Sequence, residues 1–359
     1  MTDIQPLHPH HSGHTAFKTL PVVDISLLFS EKPHDRHLAA KALDQAVKDA
    51  GFFYLKGHRI DPELIRDLKA AAKGYFAQDI STKMSHYIGL SENHTGYVPQ
   101  GEEQFYSGEG QLSPPDLKEA YDIGPETPSL MARFVSQAQT QWPESVLFKT
   151  TVQRYYQAML NLSRVLFKGF SLALNLAEDS FTRHFSTPPS QLRLIHYFDN
   201  PNASDNDSGI GAHTDYEFFT ILLPTSPGLQ VLNGANEWIN VPLLEDCFVI
   251  NIGDMMELVS NGRYIATSHR VRKVREERYA FPFFCSLDYD TVVEPIRSLL
   301  QDGEEEKYAP LVCGDHLLTQ TMQTFRYLKE RQVLGDAFLP GQESVQAASS
   351  FGRLSMKGA

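Results

Sequence analysis

The second half of the chain carries LRLIHYF (192–198), FFTILL (218–223), LQVL (229–232), WINVPL (238–243), CFVINIG (247–253) and RYAFPFFCSL (278–287). Each run alternates or stays apolar over the length of a β-strand. Pro227-Gly228, Asn233-Gly234 and Asn261-Gly262 fall between them as turn signals. Short, evenly spaced strands with such turns predict a double sheet or barrel of the jelly-roll kind. The fold expected is therefore mainly β with flanking helices.

The residues before this block read differently. LPVVDI (20–25) is a short β-rich run. Leu38/Ala39, Ala42/Leu43 and Ala46/Val47 recur at helical spacing and stop at Ala50-Gly51, a glycine stop signal. GFFYLKGH (51–58) reads as a buried strand. Asp61-Pro62 opens a second helix, with Asp as cap and Pro in the first turn. Residues 91–126 are irregular and rich in Gly, Pro, Ser and Glu, a loop long enough to suggest a functional one. Trp142-Pro143 starts a long helical run to about Leu176. A last helix is expected over 315–333, with Leu318, Met322, Phe325 and Leu328 on one face. The organisation predicted is a flexible segment over 1–18, a single domain over 19–333 and a tail over 334–359. The domain divides into a helical N-terminal part (19–185), a jelly-roll core (190–295) and a C-terminal helix (315–333). His8, His10, His11 and His14 cluster in the lead-in, where nothing apolar would hold a metal site.

Composition narrows the function classes. Of 359 residues 42% are hydrophobic and 21% charged, as in an ordinary globular protein. Lys and Arg number 32 against 44 Asp and Glu, a formal charge of −12. That sign argues against non-specific binding to nucleic acid or an anionic membrane and leaves a small-molecule partner. No apolar run approaches the ~18–20 residues of a membrane span. The N-terminus lacks the basic and apolar regions of a signal peptide. Cys247, Cys285 and Cys313 are widely spaced with no CxxC, so a reducing cytoplasm is expected.

His213-Thr214-Asp215 follows the Gly-rich segment Ser208–Ala212 and precedes an apolar strand. Side chains two apart on a strand point the same way, so this His and this carboxylate can share one metal. His269, in Thr267-Ser268-His269-Arg270-Val271, is the natural third ligand. Two His and one carboxylate on one face of an octahedral ion leave three positions open, which favours non-heme iron(II) with oxygen and a co-substrate as guests. Taken alone, His-x-Asp is weak evidence; His196 and His316 read as hydrogen-bonded structural histidines. Arg278 adds weight. It lies nine residues beyond His269 at the start of an apolar strand, where it could clamp a carboxylate through two parallel hydrogen bonds.

At these residues the chain resembles the iron(II)- and 2-oxoglutarate-dependent dioxygenases of the isopenicillin N synthase-like type. LPVVDIS, GFFYLKGH, Gly96-Tyr97, Asp116-Leu117-Lys118-Glu119, Trp142-Pro143, Arg193 to Tyr197, His213-Thr214-Asp215, His269-Arg270-Val271 and Arg278 fall in the family's order, from Leu20 to Arg331. The resemblance implies a double-stranded β-helix, a distorted jelly roll flanked by helices. It implies His213, Asp215 and His269 as Fe(II) ligands, with Arg278 on the distal carboxylate of 2-oxoglutarate and Tyr197 in contact with the same co-substrate. Iron (+2), Asp215 (−1), Arg278 (+1) and the dianion (−2) then sum to zero, which makes the assembly cheap to bury. The activity implied is oxidation of an unactivated C–H bond by O2, with release of succinate and CO2.

One departure stands out. The family commonly has Arg-x-Ser where this chain has Arg278-Tyr279-Ala280, so a hydroxyl donor to the co-substrate is missing. Ethylene-forming-enzyme-like members share that Ala. They are also similar at Gly211 to Tyr216 and at Gly96-Tyr97-Val98 followed by Gly101-Glu102-Glu103. In such relatives the residues matching Glu103 and Tyr216 lie near an amino-acid substrate such as arginine. Glu103 would pair with a guanidinium or ammonium. Arg326, on the last helix, reads first as a surface Arg, with contact to a substrate carboxylate as the alternative. Tyr197, Tyr216, Phe218, Phe281 and Phe283 are candidate walls, although alternate positions on those strands should face the core. Three other readings stay open: an iron oxidase of the same fold that ignores 2-oxoglutarate, a non-catalytic ligand-binding protein, and a metal hydrolase. No HExxH-like motif supplies a base for the last.

Overall fold

Gly51 ends the first helix as its position predicts. It takes a left-handed conformation (φ 63°) and its N–H closes onto the Val47 carbonyl at 2.8 Å, so α1 (Pro33–Ala50) turns directly into β2 (Phe52–Lys56). In front of α1 lies β1 (Val22–Asp24), parallel to β2. Asp61 caps α2 (Pro62–Phe76) by accepting from the Glu63 N–H at 2.8 Å. The computed structural model describes residues 15–103, 118–125, 140–198, 208–272 and 276–333. The His-rich lead-in up to His14, residues 104–117 of the irregular stretch, and the expected tail lie outside the described residues.

After α3 (Ile80–Met84), the stretch read as irregular holds two strands, β3 (Gly96–Val98) and β4 (Lys118–Ile123). The long helix α4 (Val146–Ala173) begins three residues after Pro143, where Ser145 accepts from the Phe148 N–H at 3.3 Å. Then come β5 (Gln191–Tyr197), β6 (Ser208–His213), β7 (Phe219–Pro224), β8 (Leu229–Leu232), β9 (Trp238–Asn240) and β10 (Phe248–Ile252). The short α5 (Asp254–Val259) separates them from β11 (His269–Arg272) and β12 (Arg278–Cys285). A small hairpin of β13 (Val292–Val293) and β14 (Leu311–Val312) precedes the C-terminal helices.

Two sheets form the body. One has eight strands in the order β1-β2-β10-β7-β12-β5-β4-β3, the other four in the order β6-β11-β8-β9. Apart from β1 with β2, every pairing in these sheets is antiparallel. This is the jelly roll with flanking helices that the strand pattern predicts. Helix α4 backs the large sheet: the ring of Phe167 meets Phe181, Phe185, Phe218 and Phe219 at centroid distances of 5.9, 5.4, 5.6 and 4.8 Å. One contiguous apolar core runs from Val23 to Leu328 through helices and sheet alike. Among the described residues no helix is long and apolar enough to cross a membrane.

The expected C-terminal helix is two helices. Phe325 adopts an extended conformation (φ −86°, ψ 131°) between α6 (Cys313–Thr324) and α7 (Arg326–Val333). There it forms a bridge with Glu103, and the Arg326 N–H donates to the Glu102 carbonyl at 2.9 Å.

Candidate metal centre and active site

β6 and β11 are antiparallel neighbours, and their register sets His213 directly opposite His269. The imidazole centroids are 4.3 Å apart. Asp215 lies just past the end of β6, and its Oδ1 is 3.6 Å from the Nε2 of each histidine. The three ligand atoms all lie within 4.8 Å of one another. The residues behind them fix their orientation. His213 Nδ1 lies 2.8 Å from the Gly211 carbonyl and His269 Nδ1 lies 3.2 Å from that of Thr267. A carbonyl can only accept, so each Nδ1 carries the proton and each Nε2 presents its lone pair to the shared point. Asp215 Oδ2 accepts from the Thr220 hydroxyl and from Asn251 Nδ2 at 2.7 Å, which leaves Oδ1 for a metal. Burial alone would raise the Asp215 carboxyl. His269 and His213, with the Thr220 and Asn251 donors, outweigh it and hold it below the usual carboxylate range. Two imidazole nitrogens and one carboxylate oxygen on one side of a point form the donor set that suits Fe(II) with positions left open.

A cavity runs from these three side chains between the two sheets to Arg278. Arg278 is 1% exposed and lies 4.5 Å above the Tyr197 ring, its partner in the β5–β12 register. Its Nε donates to the Ser226 carbonyl at 3.3 Å, but its buried Nη1 has no hydrogen-bond partner among the described residues. A buried cationic donor without an acceptor is costly, and a carboxylate is the acceptor a guanidinium fits best. Period two on β12 turns Arg278, Ala280, Pro282 and Phe284 toward this cavity.

A second cavity meets the first at His213, Asp215, Arg193 and Phe284. Its walls include Tyr216, Glu217, His94, Thr324, Phe325 and Glu103. Burial, then the nearby Asp215, pushes the Glu217 carboxyl up to about 8. Burial holds His94 down at about 3.

The other expected site residues divide. Tyr216 lines the second cavity, with its hydroxyl 3.5 Å from that of Thr324. Glu103 lines it too, but its carboxylate is already paired with this chain's own Arg193 (2.5 Å) and Lys118. Phe283 is not a wall: it faces α4, with its ring 5.3 Å from that of Tyr156. Phe218 packs on Phe167 and Phe181 in the core, and Phe281 is fully buried on the same side as Phe283. Arg326 lies outside both cavities, its side chain 59% exposed and 3.6 Å from Glu330. The break in the helix turns its neighbours Thr324 and Phe325 inward instead. Arg193, Lys118, Thr220, Asn251 and Glu217 line the cavities without having been singled out. For Thr220 and Asn251 a signal existed: each is the lone polar residue in an otherwise apolar strand run, FFTILL and CFVINIG.

Known proteins agree with this arrangement. Residues 20–145 match the family described as "non-haem dioxygenase in morphine synthesis N-terminal", and residues 189–287 match the 2OG-Fe(II) oxygenase superfamily. The 2-oxoglutarate-Fe(II) type oxidoreductase ppzC of Metarhizium rileyi is 30% identical over 321 residues, covering 82% of this chain and 85% of its own. Homoarginine-6-hydroxylase 2-ODD-C23 of Glycine max is 31% identical over 334 residues, covering 87% and 98%. The crystal structure of a full-length Neurospora crassa protein in complex with alpha-KG and thymine shares the fold, with a TM-score of 0.76 at 23% identity over 87% of this chain and 99% of that one. The chain belongs to the 2-oxoglutarate- and Fe(II)-dependent oxygenases, whose chemistry runs on Fe(II), 2-oxoglutarate and O2.

Proposed function

We propose that His213, Asp215 and His269 bind the iron, that Arg278 and Tyr197 hold the distal carboxylate of 2-oxoglutarate, and that the second cavity receives a small amino-acid or guanidino substrate. Bound there, iron, 2-oxoglutarate and O2 together supply the oxidising power to functionalise an unactivated C–H bond, with release of succinate and CO2. The residues of this chain position and insulate that chemistry. The Gly211 and Thr267 carbonyls keep both imidazoles aimed, and Thr220 with Asn251 keeps Asp215 to one free oxygen. Arg278 neutralises one end of the co-substrate at the closed end of its cavity. Tyr216 and Phe325 wall the substrate side and exclude water. The observation that carries the reading is the convergence of three ligand atoms within 4.8 Å in a cavity that ends at an unpartnered guanidinium nitrogen.

Two features support a cationic substrate. Relatives named as homoarginine-6-hydroxylases cover most of this chain, and Glu217 opens onto the second cavity as a carboxyl that burial and Asp215 keep protonated and that an entering cation would ionise. Glu103 is the weaker candidate for that role because its charge is already matched. We read residues 19–333 as one catalytic unit, in keeping with the continuous apolar core, and assign it to a reducing cytoplasm on its three free cysteines.

The test is an anaerobic Fe(II) titration with 2-oxoglutarate, following the weak visible charge-transfer band, then addition of candidate amino acids. His213→Ala should abolish the band while the far-ultraviolet circular dichroism stays native. An unchanged band removes His213 from the ligand set. Oxygen uptake that is indifferent to 2-oxoglutarate would instead favour an oxidase.

A further inference from the structure

Ala280 leaves the wall beside Arg278 without the hydroxyl that the family's Arg-x-Ser motif provides. The structure offers another one. In the β7–β12 ladder Ala280 pairs with Pro224, the last residue of β7. The pairing continues beyond that end, since the Thr225 N–H donates to the Tyr279 carbonyl at 3.2 Å and the Thr225 hydroxyl donates to it at 2.8 Å. One step further the chain bends away over 225–227, and there Arg278 Nε donates to the Ser226 carbonyl at 3.3 Å, which holds Ser226 beside the guanidinium. Residues directly opposite in an antiparallel pair share a face of the sheet. Lys118, Tyr197 and Arg278 already stand side by side across β4, β5 and β12, and all three line the co-substrate cavity. Ser226 sits at the Arg278 end of that row, tied to it by the Arg278 Nε hydrogen bond.

The second observation is chemical. Ser226 Oγ is buried with no hydrogen-bond partner among the described residues, and so is Arg278 Nη1. Native proteins rarely leave such groups unsatisfied, and two neighbouring ones point to a shared acceptor. A carboxylate, with lone pairs on both oxygens, satisfies a guanidinium and a hydroxyl together. We propose that Ser226 donates its hydroxyl to the distal carboxylate of 2-oxoglutarate, the hydrogen bond that Ala280 cannot make. This rests on the reading of Arg278 given above.

The experiment is an equilibrium titration of the Fe(II)-loaded full chain, without oxygen, using 2-oxoglutarate and 2-oxobutyrate as probes. The latter lacks the distal carboxylate. Ser226→Ala should raise the Kd for 2-oxoglutarate about tenfold, equivalent to about 1.4 kcal/mol. It should leave the Kd for 2-oxobutyrate within about twofold and the thermal midpoint unchanged. Ser226→Ala combined with Ala280→Ser, which moves the hydroxyl to the family's usual position, should recover most of the loss. Arg278→Gln, run alongside, separates the two levels. If it leaves 2-oxoglutarate binding intact, the reading of the whole pocket is wrong. If it weakens binding while Ser226→Ala stays within twofold of the parent chain, only the role of Ser226 is refuted. Equal weakening for both oxo acids in Ser226→Ala would put the effect at the metal end and refute it as well.

Discussion

Asp215 can reach a metal through one oxygen because the other is held by Thr220 and Asn251. Partners of this kind set ligand orientation, and their removal commonly costs ten- to a hundredfold in metal affinity. Asn251→Ala should therefore weaken Fe(II) binding by about that factor. Direct Fe(II) titration of the anaerobic protein measures it, and an affinity within twofold of the parent chain would show that Thr220 alone suffices. At this scale the sequence was most readable where chemistry needs one residue type at one spacing. His213, Asp215, His269 and Arg278 are polar residues at strand ends or strand starts, and each is found at one continuous site. Phe283 was misread for a reason of parity. RYAFPFF offers two alternating sets, and only knowledge of the face that Arg278 takes selects Ala280, Pro282 and Phe284. Of the two readings of Arg326 the structure has the surface one, and the helical pattern does not reveal that Phe325 leaves the helix.

The loop that carries Asp215 is held in place by the start of α5. Asp254 N–H donates to the Asp215 carbonyl at 2.9 Å, Gly253 N–H to that of Phe218 at 3.0 Å and Met255 N–H to that of Glu217 at 3.3 Å. The contact is so close that a Cβ on Gly253 would sit 2.2 Å from the Glu217 carbonyl oxygen and 3.0 Å from that of Asp215. Backbone cannot yield as a flexible side chain can. Gly253→Ala should cost about 1–3 kcal/mol by overpacking and should also lower iron affinity, because the loop must move. Urea midpoints and Fe(II) titration read the two effects, and a loss of stability without loss of affinity would detach α5 from the site. Behind the sheet, Phe167 fills the space among four other phenylalanines. Phe167→Ala should cost about 3–5 kcal/mol in the same urea assay. Helices α1, α2 and α4 and eight strands, β1, β2, β5, β7, β8, β9, β10 and β12, were visible in the sequence, whereas the short α3 and α5 were not. β6 was hidden by its glycines, of which Gly209 is needed because a Cβ there would press on the Tyr197 ring and Val271 at 3.2 Å. β4 was hidden by its charges: Lys118, Glu119 and Asp122 look like surface residues until their partners are known.

Those partners join distant parts of the chain. Arg193 on β5 makes a fork to Asp122 at 2.7 Å through Nε and Nη2, and its Nη1 reaches Glu103. Lys118 closes the set on Glu103. Two cations and two carboxylates, all buried or nearly so, sum to zero between the two cavities. Pairings across 15 to 90 residues leave no local pattern, which is why this cluster was illegible and why Glu103 was assigned to the substrate. A buried pair stabilises little when intact but costs much when broken, since the remaining charge is stranded. Glu103→Gln keeps the shape and removes the charge, so it should destabilise the whole chain by on the order of 3 kcal/mol at neutral pH. The acid limb supplies the sharper check. Burial would raise the Glu103 carboxyl, but Arg193 and Lys118 outweigh it and hold it at about 2, against an ordinary value of 4.5. A carboxyl whose folded value is depressed contributes stability in full above its unfolded value and loses it as the pH falls toward the folded one. The gap between the parent chain and Glu103→Gln should thus be widest above about pH 4.5 and shrink steadily as the pH is lowered toward 2. Urea midpoints of both proteins at several pH values across that window measure the gap, and a constant difference would mean that Arg193 and Lys118 do not depress the Glu103 carboxyl in the folded protein.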